Sequence, residues 1–310
     1  MFKKMRSGYL KLFENGELQN RIEILKNNYN ECILCPHKCR VNRNNGEKGI
    51  CRTGPLPVIA SYNCHFGEEP PISGTSGSGT IFFSGCSGRC VFCQNYPISQ
   101  LGTGKALTEE QLSDIMLKLQ NRGCNNINLV TPTHFLPSII AAISVGASKG
   151  LYIPIVYNTG GYERAEIIKL LDGIIDIFLP DAKYGKNEIA KKLSGFTNYI
   201  DYNHSALIEM YKQVGNLQIN DGIAEKGIII RHLILPGNLG GTDIIMKFIS
   251  ENISKDIYIS LMDQYFPAYK AFKHKILSRR ITSEEYNNAL EYFHGSGLYN
   301  GWIQNHISAT

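Results

Sequence analysis

Between residues 80 and 262 the chain alternates short apolar runs with longer amphipathic ones. The runs at 80–84, 126–130, 153–157, 174–179, 227–235 and 256–262 predict six strands. Amphipathic stretches near 108–121, 135–149, 163–172, 203–214 and 240–252 predict helices between them. Strands alternating with helices form an α/β fold around a parallel sheet, which is either an open doubly wound sheet or part of a TIM-type barrel. Upstream, Leu10, Leu12, Phe13, Leu18, Ile22, Ile24 and Leu25 make a looser helical pattern over 9–28 that must dock on another element. Residues 52–79 are rich in Gly, Pro and Ser and read as an extended connector. The expected organisation is an N-terminal helix and cysteine-rich segment over 1–60, a connector over 61–79, and the α/β domain with a helical tail over 80–310.

Composition narrows the function. The 310 residues are 43% hydrophobic and 19% charged, which suits a folded core and excludes a disordered chain. No apolar run is long enough to span a bilayer, and Met1-Phe2-Lys3-Lys4-Met5-Arg6 leads into polar sequence rather than a secretion signal, so the expected location is cytoplasmic. The net charge of +5 is spread along the chain and argues for neither nucleic-acid nor membrane partners. Nine cysteines without a secretion signal argue for metal ligation over a disulfide framework.

Three of those cysteines fall together in Cys86-Ser87-Gly88-Arg89-Cys90-Val91-Phe92-Cys93, directly after the first predicted strand. A four-iron cluster held wholly by protein needs four thiolates, so three suggest one iron left open for a ligand, the condition for catalysis at a metal. A zinc site or buried thiols are the plainer alternatives. Polar groups also fall at the other predicted strand ends: Gln94-Asn95, Thr131-Pro132-Thr133-His134, Asn158-Thr159-Gly160-Gly161, Pro180-Asp181-Ala182-Lys183-Tyr184, Arg231-His232 and Met262-Asp263-Gln264-Tyr265. Barrel enzymes place their active residues at such ends.

The C-x-x-x-C-x-aromatic-C pattern, with Phe92 in the aromatic place, resembles the radical S-adenosylmethionine (SAM) superfamily. The resemblance implies a partial barrel of six βα units. It implies a [4Fe-4S] cluster on Cys86, Cys90 and Cys93 whose open iron chelates SAM, and a 5′-deoxyadenosyl radical that abstracts hydrogen. The segments Cys35-Pro36-His37-Lys38-Cys39, His65-Phe66-Gly67-Glu68-Glu69-Pro70-Pro71, Cys93-Gln94-Asn95, Asp181-Ala182-Lys183 and Arg231-His232-Leu233-Ile234-Leu235-Pro236-Gly237 are further similar to homologues of pyruvate formate-lyase activating enzymes. That likeness implies SAM contacts from Asn95, Asn158, Thr159, Asp181, Lys183 and Arg231. It also implies a glycyl radical enzyme, another peptide or a small molecule as substrate, and a reducing partner such as flavodoxin or ferredoxin.

Two positions depart from the activating-enzyme pattern. Thr131 and Thr133 stand where Gly-Gly-Glu usually holds the SAM amino group, and Asn158 replaces an acidic residue. Gly160-Gly161-Tyr162-Glu163 reads as a turn into a helix, with Glu163 at the helix N-terminus.

Cys32, Cys35, Cys39 and Cys51 form a second, four-ligand set that suits zinc or another [4Fe-4S] cluster. His65, Glu68 and Glu69 either face the active site from above the cluster loop or form a solvated turn. Cys64 reads as an extra ligand or reactive thiol and Cys124 as a core cysteine; the Gly/Ser run 73–79 lacks the Lys of a phosphate loop; and His204, His274, His294 and His306 read as structural or surface residues. A non-catalytic iron-sulfur or zinc protein that transfers electrons or binds a partner is the competing class.

Overall fold

The computed structural model describes residues 7–303; His306 and the first six residues lie outside them. Its strands are Val58–His65 (β1), Ser78–Phe83 (β2), Lys105–Ala106 (β3), Ile127–Val130 (β4), Ile155–Thr159 (β5), Ile177–Pro180 (β6), Gln218–Asn220 (β7), Ile223–Leu233 (β8), Tyr258–Met262 (β9) and Gly301–Ile303 (β10). The helices are Gly8–Glu14 (α1), Glu17–Asn27 (α2), Pro70–Ser73 (α3), Tyr96–Ser99 (α4), Glu109–Asn121 (α5), Leu136–Ser148 (α6), Ala165–Lys169 (α7), Asn187–Ser194 (α8), Tyr199–Val214 (α9), Thr242–Asn252 (α10) and Ser283–Gly295 (α11).

The sheet runs β10-β9-β8-β6-β5-β4-β2-β1-β3, and every pair from β2 to β10 along it is parallel. The two ends do not pair with each other, so the fold is a partial barrel. β5 and β6 are buried at every residue because helices cover one face and the barrel filling covers the other. α5 begins where its sequence says it should: Thr108 and Gln111 form a reciprocal capping box, worth about 1 kcal/mol. The 9–28 pattern resolves into α1 and α2, which dock on α6. Tyr9 donates to Ile153 O at 3.1 Å, and Tyr29 meets Ser138 at 3.2 Å. Covered on both sides, α6 is apolar nearly all round.

The expected connector is not one. β1 pairs antiparallel with β2 from Ile59 opposite Phe83 to His65 opposite Ser78, so the chain reaches the bottom of the barrel, where the parallel strands begin. Residues 66–77 then turn up into the barrel as a plug. Ile72 is fully buried against Val156, Ile177, Leu179 and Ile229, and Asn126 Nδ2 donates to its carbonyl at 2.8 Å. The Gly and Pro content that suggested a loose linker serves a tight reversal: Gly77 has φ +83°, and Pro70 and Pro71 start α3.

Candidate active site

At the opposite, C-terminal end of the strands, the cluster loop leaves β2 through Gly85 at φ +81°. A side chain there would lie 2.6 Å from Thr53 and 2.8 Å from the Cys51 carbonyl, so only glycine lets the N-terminal segment close over the loop. Two further segments clamp it. Arg89 N donates to Ser194 O and Val91 N to Leu193 O, each at 2.8 Å, and Lys270 N donates to Val91 O at 2.8 Å. Phe92 is buried edge-on against Tyr265, which explains the aromatic place in the motif.

Each thiol of the loop has a hydrogen-bond partner. Gly88 N donates to Cys86 Sγ at 3.2 Å, Ser194 Oγ donates to Cys90 Sγ at 2.9 Å, and Ser99 Oγ lies 3.0 Å from Cys93 Sγ. Burial pushes the Cys86 thiol up to about 12 and raises Cys90, so these sulfurs need neighbouring positive charge to exist as thiolates. Lys183 supplies some of it, acting on both Cys86 and Cys90. Arg89 sits near Cys86 and Cys51 and has a buried Nη2 without a partner. Donors around sulfur and nearby cations are the surroundings that an anionic iron-sulfur cluster requires. Among the described residues no three His, Cys, Asp or Glu side chains converge on a point as they would for a single ion. Cluster thiolates bind separate irons and stand further apart than that.

The second cysteine set lies directly against this loop. His37 Nε2 meets Ser87 O at 2.8 Å, and Cys35 stands close enough to Cys39, Cys51 and Glu163 for their charges to act on it. Burial is the main reason the Cys35 thiol is raised. The segment is anchored by Arg43, which is fully buried. Its guanidinium donates to His134 O at 2.5 Å, to Thr53 Oγ1 at 3.0 Å and to Gly54 O, and lies over the Tyr29 ring. Sequence patterning missed this residue, because a lone arginine in a polar stretch reads as surface.

The other strand ends carry mixed fates. Thr133 and Thr159 both donate to Glu163 Oε1, the first at 2.6 Å, and Tyr157 donates to Thr133 Oγ1 at 3.3 Å. Glu163 does stand just before Arg164, the N-cap of α7, but its carboxyl is turned to the strand ends. It is 1% exposed, its Oε2 is buried without a hydrogen-bond partner, and burial raises its carboxyl to about 7. The turn that carries it is forced by Gly161, at φ +74°, where a Cβ would lie 1.9 Å from Asp181 O. Asn158 is nearly buried, and Thr131 has φ +59°, an outlying conformation for a β-branched residue.

Asp181 and Lys183 form an ion pair that is mostly buried. Burial alone would lower the Lys183 pKa, but Asp181 and the Cys90 sulfur raise it instead. Arg231, level with Asp181, turns into the barrel and meets the plug. Its Nε and Nη2 each donate to Glu69 at 2.7 Å, and Nη2 also pairs with Glu68, which accepts from Asn128 at 3.0 Å. Glu68 and Glu69 thus approach from below the strands and are buried, correcting both the solvated-turn and the above-the-loop readings. Asn95 is exposed at the start of α4 and is not joined to this network by any described side-chain contact. His232, inside β8, is a core residue bonded to Ala182 O at 2.6 Å and Thr242 Oγ1 at 2.9 Å.

Residues 80–238, which run from the cluster strand through β8, match the radical SAM superfamily. The chain belongs to that superfamily. Membership implies an enzyme, and it implies a [4Fe-4S] cluster and SAM as cofactors. The radical SAM chain is 36% identical over 284 residues to the uncharacterized protein MJ0674 of Methanocaldococcus jannaschii, covering 88% of this chain and 77% of that one. A second protein of the same organism, MJ0808, is 22% identical over 268 residues, covering 80% and 74%. Among solved structures, methylornithine synthase aligns over 69% of this chain and 60% of its own at 15% identity and a TM-score of 0.43. No helix among the described residues is long and apolar enough to cross a membrane.

Proposed function

We propose that this radical SAM enzyme holds its cluster on Cys86, Cys90 and Cys93, leaves one iron to SAM, and abstracts hydrogen from a substrate at the mouth of the barrel. The observation that carries the reading is the loop itself: three thiols, each with a hydrogen-bond partner, at the C-terminal end of the first parallel strand. When bound, the reduced cluster and SAM together supply a 5′-deoxyadenosyl radical as the hydrogen abstractor. The chain's own residues ligate, orient and exclude water. Ser194, Ser99 and the Gly88 amide fix the sulfurs, and Lys183 with Asp181 sets the charge beside them. Asn95, Thr131, Asn158, Lys183 and Arg231 are the proposed SAM-side groups, with Thr133 and Thr159 acting through Glu163. Buried polar atoms left without partners, Arg89 Nη2 and Glu163 Oε2, fit a polar guest at this end.

The finer reading, activation of a glycyl radical enzyme with electrons from flavodoxin or ferredoxin, is supported by the Cys93-Gln94-Asn95, Asp181-Ala182-Lys183 and Arg231 motifs. We also propose that Cys32, Cys35, Cys39 and Cys51 hold a second metal centre, zinc or [4Fe-4S], because Cys35 lies near Cys39 and Cys51 in a segment whose His37 meets the cluster loop.

Anaerobic reconstitution with iron and sulfide tests both. SAM and dithionite should yield 5′-deoxyadenosine, and Cys90→Ala should abolish it. A wild type that loads iron but neither cleaves SAM nor changes its electron paramagnetic resonance signal with SAM would instead support the electron-carrier reading. About eight irons per chain mark two clusters, whereas about four irons with one zinc make the second centre structural. A Cys32→Ser, Cys35→Ser double variant that keeps the full metal content would remove the second centre.

A further inference from the structure

Two cysteines belong to neither ligand set, and the fold brings them together at the bottom of the barrel, the end away from the cluster. Cys64 lies on β1 opposite Gly79 of β2, and Gly79 is in turn opposite Ile127, the first residue of β4. Cys124 sits in the turn between α5 and β4. The two cysteines therefore flank one β2 residue from either side. That residue has no side chain: a Cβ on Gly79 would come within 3.3 Å of Cys124 Cβ, and one on Gly77 within 3.3 Å of Cys64 Cβ. Across the gap, Cys124 Sγ and Cys64 Sγ are 2.7 Å apart although the residues are 60 apart in sequence.

We propose that Cys64 and Cys124 form a reversible disulfide by exchange with a small-molecule disulfide, independently of the cluster. Their exposures differ in the way such an exchange needs. Cys64 is partly exposed, so it can be reached from solvent, whereas Cys124 is 3% exposed and sealed in. The reachable Cys64 is the attacking sulfur and the buried Cys124 the resolving one; burial and the neighbouring Cys64 sulfur both raise the Cys124 thiol. The Cys64 thiolate attacks one sulfur of the disulfide reagent and expels a first thiolate. The Cys124 sulfur then attacks Cys64 and expels the second. Two electrons pass from the protein sulfurs to the reagent, and the two thiol protons end on the released thiols. The bond would tie β1, and the plug that follows it with Glu68 and Glu69, to the turn that leads into β4.

The test uses reconstituted protein held anaerobically with oxidised glutathione, then alkylated in denaturant and mapped by mass spectrometry. A cross-link between Cys64 and Cys124, reversed by dithiothreitol and formed without loss of iron, is the expected result. Cys124→Ser should trap glutathione on Cys64, and Cys64→Ser should leave Cys124 unmodified. The closed form should also melt a few degrees higher than the reduced form, because a long loop is constrained in its unfolded state. Wild-type protein in which both thiols are alkylated, or in which the Cys64–glutathione adduct accumulates unresolved, would overturn the proposal. SAM cleavage tests a different end of the barrel, so either result stands apart from the enzymatic reading.

Discussion

Replacing Glu69 with Gln probes the join between the plug and the barrel wall. Glu69 accepts two charge-assisted hydrogen bonds from Arg231 at 2.7 Å, and the side chains are only 4% and 14% exposed. Burial works against the Glu69 carboxylate, yet Arg231 outweighs it and holds the carboxyl below its usual range. Gln keeps the shape but removes the charge and turns one acceptor into a donor facing a donor. Breaking a buried pair from one side costs about 3–5 kcal/mol; because Glu68 remains on Arg231, the lower end, about 3 kcal/mol, applies. Unfolding entropy of about 2.1 cal/mol/K per residue over the 310 residues amounts to roughly 0.65 kcal/mol/K, so Tm should fall by about 5 °C. Scanning calorimetry of anaerobic protein near neutral pH measures it. A Glu68→Gln, Glu69→Leu, Arg231→Met triple variant should recover much of the loss, since it removes all three charges together and the amide at position 68 keeps an acceptor for Asn128. A Glu69→Gln shift of less than about 1 °C would show that water screens the pair and that the plug is not held electrostatically.

Other sites give independent tests. Asp176, buried beneath β5, accepts from Ile155 N at 2.9 Å, and desolvation raises its carboxyl from 3.8 to about 6. A raised carboxyl contributes stability below its unfolded value and loses it as pH rises through the folded one. Wild type should therefore lose about 1.4 kcal/mol more than Asp176→Asn between pH 5 and 8; parallel pH profiles in denaturant titrations would refute the assignment. Gly161→Ala forces a Cβ into Asp181 O in a left-handed conformation and should cost at least about 2 kcal/mol, read as a drop in Tm of about 3 °C; an unchanged melt would mean that the turn relaxes freely. Arg43→Met leaves the His134 and Gly54 carbonyls without their donor and should release the N-terminal segment, so limited proteolysis within residues 30–55 should quicken at least about tenfold. An equal cleavage rate would show that other contacts hold it.

The sequence by itself determined the three-cysteine loop after the first parallel strand, six of the parallel strands and most of the helices between them. These depend on local matters: thiol spacing within one loop, short apolar runs, and caps such as Thr108 with Gln111. Segments whose role depends on distant partners were misread. Gly- and Pro-rich 61–79 looked like a linker because reversals share that composition, and only the strands around Ile72 make it a plug. Glu163 looked like a helix-end charge until Thr133 and Thr159, from two different strand ends, closed on it. Arg43, Glu68 and Glu69 are charged residues in polar stretches, and a buried charge is stable only beside a partner that the linear chain does not bring near. Cys64 and Cys124 meet only because two strands place them on either side of a glycine. Periodicity and spacing record what one element needs for itself, whereas the pairing of buried polar groups is decided by which elements the barrel sets side by side.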